Sequence, residues 1–265
     1  MTANPPDACY AELPLGTLDP EKIEAVWRYR PLAPGRQRVL PDGRMDLVVH
    51  CTAGSRDEAT PVLLVIAGPA EIPTEVALRP QTVILGVRFR IGWGGACLGM
   101  APGAVRNRAV SGSDVDQCLG PLAAEILQQT TLQGVEDALR RVAGVLASRA
   151  PVAASHGRAL DALGRMPGRV RDGGGDAPGA LPSARTLRRD IAAAVGLPLR
   201  TLAGILRFQR AMALLAGGAA SLSDVAVAAG YADQAHMTRE FRRFGGFTPA
   251  LPVSAPLVRL APQPA

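Results

Sequence analysis

Five side chains near the C-terminal end of the chain, Gln234, Ala235, Thr238, Arg239 and Arg242, recur at the spacing of one helical face. Their types are those that read base edges. An arginine guanidinium donates two hydrogen bonds to guanine O6 and N7, a glutamine amide pairs with adenine N6 and N7, and a threonine or alanine methyl meets the thymine methyl; each good bidentate pair discriminates by about 1–3 kcal/mol. Met237, Phe241 and Phe244, at i, i+4 and i+7 of the same stretch GYADQAHMTREFRRF, form the opposing apolar face. A helix starting near Asp233 would bury these three against Ala226 and Ala229 and turn the five toward a major groove. Arg242 and Arg243 lie farther along, where phosphate contact is expected. His236 fits two roles, approach to a phosphate or a contact that holds the two helices together.

The elements that must position this strip are legible upstream. Ser221-Leu222-Ser223-Asp224 reads as a capping box, the Ser221 hydroxyl accepting from the Asp224 amide and the Asp224 carboxylate reaching back to the Ser221 amide. Leu222, Val225, Ala226 and Ala229 give the helix so started one apolar face, and Gly230 supplies the left-handed residue that ends it. Helix, glycine turn and second helix make a helix-turn-helix. Before it, Ser183 caps a helix through ARTLRRDIAAAV, which Gly196 stops, and Pro198 occupies the first turn of LRTLAGILRFQRAMALLA, which ends at Gly217 and Gly218. That second helix, Leu199 to Ala216, spans about 27 Å at 1.5 Å per residue and carries the apolar stripe Ile205, Phe208, Met212 and Leu215.

SLSDVAVAAGYADQAHMTREFRRFGGFTPA, Ser221 to Ala250, resembles the C-terminal signature of AraC/XylS-type transcriptional regulators, through Gly230-Tyr231, Asp233-Gln234, His236, Arg239, Phe241, Gly246 and Thr248-Pro249. The resemblance implies two helix-turn-helix units joined by a long helix, so that two recognition helices enter successive major-groove segments about 34 Å apart. Ser183 to Ala211 is similar to the family's first recognition helix and connecting helix, which makes Arg185, Arg188 and Arg189 the exposed readers of the first unit. One stretch departs from the pattern. DGGGDAPGALP, Asp172 to Pro182, stands where the first unit's scaffold helix belongs, and its four glycines and two prolines leave that helix short, distorted or absent.

The first half reads as β. RVLPDGRMDLVVHC, PVLLVIAGP and QTVILGVRFRIGW are strand-like runs separated by Pro/Gly turns, which points to a sandwich or small barrel. From about Val115 the period changes to three and four, implying two helices that meet near Thr130–Thr131, with a further short helix over Ala159 to Met166. RVLPDGRMDLVVH and LGVRFRIGWGGACLGMAP resemble, more weakly, a sensor-type domain of some AraC/XylS-type regulators, implying a β-rich, cupin-like domain that senses an effector or mediates association. Asp42 and Asp46, or Arg88 and Arg90, could line an effector pocket or be half-exposed strand charges. His50 reads as a strand histidine, GWGG at Gly92 to Gly95 as a turn, and Trp27 and Trp93 as core.

Charge separates the two halves: residues 1–150 carry 15 basic and 16 acidic side chains, whereas residues 151–265 carry 14 basic and 7 acidic. A basic half fits a polyanion partner or a merely solubilising surface. Lys22 is the sole lysine, and this arginine bias with the abundant Ala and Gly points to a GC-rich bacterial genome. Cys9, Cys51, Cys97 and Cys118 form no CxxC pair, so neither a metal site nor a disulfide framework is expected. MTANPPDACYAEL has neither the basic nor the apolar region of a secretory signal, and no apolar run is long enough to span a bilayer, which places the protein in the cytoplasm.

The expected fold class is α+β multidomain: a β-rich, cupin-like barrel or sandwich over residues 1–116, a helical connector over 117–150, an all-α tandem helix-turn-helix domain over 151–250, and a proline-rich tail over 251–265. The expected function is sequence-specific regulation of transcription on double-stranded DNA, without catalysis, metal or cofactor. Candidate partners are an operator or promoter, RNA polymerase, an unidentified small-molecule effector and a second copy of the chain; no membrane partner is expected. The alternatives are a DNA-targeted enzyme with a reactive cysteine, Cys51 being the nearest candidate, and a protein-binding regulator with impaired DNA binding.

Overall fold

In the computed structural model, which describes residues 10–31, 35–54, 57–78, 81–166, 183–218 and 221–249, the strands of the first half build a six-stranded antiparallel sheet and a two-stranded ribbon. They are β1 (Tyr10–Leu13), β2 (Ile23–Tyr29), β3 (Gly35–Val39), β4 (Met45–Ala53), β5 (Ala59–Ala67), β6 (Thr74–Leu78), β7 (Thr82–Phe89) and β8 (Ala109–Ser111). The sheet runs β1-β2-β7-β4-β5-β8, and β3 pairs with β6 in the ribbon. The three runs legible in the sequence are β4, β5 and β7, which lie side by side as β7-β4-β5 at the centre of the sheet. Pro61 has no amide to donate to the ladder, and the β4–β5 register slips there, between the His50–Leu63 and Cys51–Pro61 pairs.

Side chains alternate across the sheet. Val83, Leu85, Val87 and Phe89 of β7 enter a large core with Leu47 and Val49 of β4, roofed by helices α1 (Gly94–Leu98), α2 (Ser113–Leu119), α3 (Pro121–Leu127) and α4 (Leu132–Arg149). Thr131 caps α4 by accepting from the Gly134 amide at 3.0 Å, where the change of period placed a helix junction. Val135, Leu139, Val142 and Leu146 of α4 are buried on the sheet, so the segment read as a connector is integral to this core.

The opposite face holds Ala25, Trp27, Tyr29, Val48 and Ile84, with Val76 of the ribbon packed on it. Gly86 is required here: a Cβ would lie 2.2 Å from the Trp27 ring, which crosses the strand at that point. On the same face Arg88 is 1% exposed and Asp46 9%. Neither is a half-exposed strand charge. The Arg88 Nε lies 3.3 Å from Asp46 and 3.6 Å from Asp42, and the Trp27 indole donates to Asp46 at 2.9 Å. These charges balance one another inside the fold, whereas Arg90 is exposed.

Burial pushes the Asp46 carboxyl up to about 6, although Arg88 pulls it down. A carboxyl raised on folding binds its proton more tightly in the native chain, so its contribution to stability is complete below the unfolded value of about 4 and is lost as pH rises through the folded one. The denaturation midpoint should therefore decline between about pH 4 and 6 and flatten over that window in Asp46→Asn. Glu24 acts in the opposite sense and at lower pH: despite burial, Arg44 at 2.7 Å holds its carboxyl below the ordinary range.

A second core gathers the remaining helices, α5 (Ala154–Gly164), α6 (Ala184–Val195), α7 (Leu199–Ala216), α8 (Leu222–Ala229) and α9 (Gln234–Phe244). Loops of the β-rich half reach into it. Ile91 is a buried member, Gly43 sits under Leu202, and the His156 ring of α5 hydrogen-bonds the Gly92 carbonyl at 2.8 Å while meeting Trp93 edge-on. Among the described residues no single helix is long and apolar enough to cross a membrane.

Candidate nucleic-acid interface

The second helix pair forms for the local reasons its sequence suggests. Ser221 accepts from the Asp224 amide at 3.1 Å; the reciprocal partner differs, because the Asp224 carboxylate receives the Ser221 hydroxyl at 2.7 Å. Gly230 closes α8 at φ 90, a left-handed value that favours glycine. Asp233 then caps α9, its carboxylate accepting from the His236 amide at 2.6 Å. Met237, Phe241 and Phe244 are fully buried, sharing their core with Val225, Ala226 and Ala229 of α8. Their main aromatic partner comes from α7: the Phe208 ring lies 4.9 Å from Phe241, edge to face, and 6.0 Å from Phe244.

With that face anchored, Gln234, Ala235, Thr238, Arg239 and Arg242 line one open depression of about 530 Å³. All are exposed except Thr238, which is half-buried. The Thr238 hydroxyl donates to the Gln234 carbonyl at 2.9 Å, leaving its methyl as the outward contact, and Ser223 of α8 donates to the Gln234 side-chain oxygen at 3.3 Å. Arg239 and Arg242 form no ion pair among the described residues and both are exposed.

His236 lies on the inner edge of this strip. It meets the Tyr231 ring edge-on at 5.2 Å and stands 3.6 Å from Glu240, which accepts from Arg207 of α7 at 2.7 Å. Of its two sequence-level roles the structure supports the joint between helices. Burial raises the Tyr231 hydroxyl, which stays neutral beneath the Arg207 guanidinium. Sequence reasoning could not find the Arg207–Glu240 pair, because its members are 33 residues apart.

In α6, Ser183 caps by accepting from the Thr186 amide at 3.1 Å, and Arg185, Arg188 and Arg189 are exposed. Ile191 and Val195 are buried on the other side. Asp190 is buried too, and Arg158 of α5 grips it through Nε at 2.9 Å and Nη2 at 2.7 Å, another pairing without a sequence signal. The Asp172–Pro182 stretch, where the first scaffold helix belongs, and the tail over 251–265 lie outside the described residues.

Elsewhere, Cys51 and Cys97 are buried, and burial pushes both thiols up to about 12. An activated cysteine nucleophile needs the opposite shift. No cluster of three metal-ligating side chains occurs among the described residues.

The fold has a β-rich N-terminal region and a helical C-terminal region, and a helix-turn-helix match in the latter supports the class of DNA-binding transcription regulators. Residues 182–251 match the family of the helix-turn-helix domain, and this C-terminal segment is of the AraC type. Residues 15–111 match a domain of unknown function, DUF6597. No curated protein matches the chain. Among solved structures, ToxT from Vibrio cholerae is similar in two crystal structures. An apo variant gives a TM-score of 0.37 at 10% identity, covering 88% of this chain and 96% of that one. A second form gives 0.36 at 10% identity, covering 91% and 96%. At such scores the likeness carries no functional argument.

Proposed function

We propose that the chain is a sequence-specific regulator that reads double-stranded DNA through the outward faces of α9 and α6. The observation that carries the reading is the division of α9: three large apolar side chains are wholly buried while Gln234, Ala235, Thr238, Arg239 and Arg242 line one open surface. Amide, methyl and guanidinium groups held on a rigid helix are what base-edge recognition in a major groove requires. Arg185, Arg188 and Arg189 serve the first unit in the same way, and α7 sets the spacing between the two. The β-rich half supplies control, through an effector or through association with a second copy, and its loops transmit that control where they touch the helical core. RNA polymerase is a further partner of such a regulator.

A duplex selected by the protein from a randomised library tests this. The expected footprint protects two major-groove segments about one helical turn apart on one face. Recovery of no preferred sequence, or protection spread evenly along the duplex, would refute sequence-specific reading.

A further inference from the structure

Arg106 belongs to the β-rich half, just past the 3₁₀ turn Pro102–Val105, yet it lines one open groove with Arg188 and Arg189 of α6 and Arg200 of α7. The groove measures about 560 Å³, and between its arginines the lining is apolar, from Ala192 through Leu197 to Leu199 and Ala203. The juxtaposition is built into the fold. Gly196, at φ 78, abuts the backbone of the turn so closely that a Cβ there would lie 2.6 Å from the Pro102 carbonyl carbon. The turn is thereby pinned to the C-terminal end of α6.

Glu71 lies 3.9 Å from Arg106 Nε and also 3.7 Å from Arg243 Nη2 of α9. Glu71 is shared by two arginines, 44% and 53% exposed, and Asp190, already gripped by Arg158, lies 3.9 Å from Arg189 Nε, so among the described residues the arginines around the groove outnumber their carboxylates. Guanidinium forks match phosphate oxygens, and an apolar lining between them accommodates the sugars between phosphates.

We propose that this groove seats the DNA sugar-phosphate backbone along the edge of the α6 strip that Arg188 and Arg189 border, with Arg106 delivering a phosphate contact from the β-rich half. The inference rests on the DNA-binding reading above. Glu71 is then the counter-ion that the phosphate displaces, so the β-rich half both contributes to binding and restrains it.

The test compares salt dependence on a duplex selected by the wild-type protein and on an unrelated duplex of equal length. Arg106→Ala should weaken both complexes by the same factor and reduce the slope of log K against log salt by about 0.9, the share of one phosphate. Arg106→Lys should restore the slope. Glu71→Gln should tighten binding, and Arg106→Ala should still lower the slope in that background, which removes the effect of a freed carboxylate on Arg243. Arg108, exposed two residues along and outside the groove, should give an unchanged slope as Arg108→Ala. An unaltered slope in Arg106→Ala, or an equal loss in Arg108→Ala, overturns the proposal while leaving DNA binding intact. Failure of the wild-type chain to retain any duplex refutes the underlying reading instead.

Discussion

Truncating Phe241 to Ala is expected to cost about 3–5 kcal/mol of stability, the range for emptying a fully buried aromatic site. Phe241 is wholly buried and ties α9 to α7, meeting Phe208 of α7 at 4.9 Å and Phe247 beyond α9 at 5.9 Å, both edge to face. Those contacts add to the cavity term, because edge-to-face pairs contribute about 0.5–1.5 kcal/mol beyond the area they bury. Whole domains are stable by only about 5–15 kcal/mol, so the loss is a large fraction of what holds α9 in place. Chemical denaturation followed by helical circular dichroism should show the helical transition at lower denaturant. DNA affinity should fall with it, although Phe241 itself faces no base. Phe241→Leu, which keeps most of the volume, should cost much less; equal costs for the two variants would mean that the site collapses freely and that the aromatic anchor does not position the strip.

Arg239→Ala is expected to relax the preference at one base position by roughly five- to 150-fold, the equivalent of about 1–3 kcal/mol for one bidentate pair. The fold should survive, since Arg239 is exposed and pairs with no described carboxylate. Repeating the library selection with the variant separates two kinds of contact. A base reader leaves the salt slope nearly unchanged and frees one position, whereas a phosphate contact lowers affinity uniformly and takes about 0.9 from the slope. Full retention of sequence preference by the variant would remove Arg239 from the reading set and move the recognition strip toward Gln234 and Thr238.

The α8–α9 unit was legible because every instruction for it is local. Ser221, Gly230 and Asp233 punctuate the chain, and the i, i+4, i+7 spacing of Met237, Phe241 and Phe244 determines which face turns inward. The same logic located α6, α7 and the junction at Thr131. It failed where residues act across the fold. Asp46 and Arg88 left two readings open, an effector pocket or half-exposed strand charges, yet β4 and β7 are neighbours in the sheet and place both side chains on the face that the ribbon covers. Alternation indicates that two sets of side chains point opposite ways; it does not tell whether the polar set meets water.

Helix periodicity, caps and turn residues by themselves determined that the C-terminal part holds a helix-turn-helix and which face of α9 turns inward. Their energetics are settled within a few residues, over distances the chain spans in one or two turns. Only the tertiary structure decided that Glu240 serves Arg207, that Arg158 neutralises Asp190, and that Arg106 stands beside α6. Those pairings join residues about thirty to ninety positions apart, and they depend on how the two cores seat against each other, a matter of packing between surfaces that no local pattern encodes.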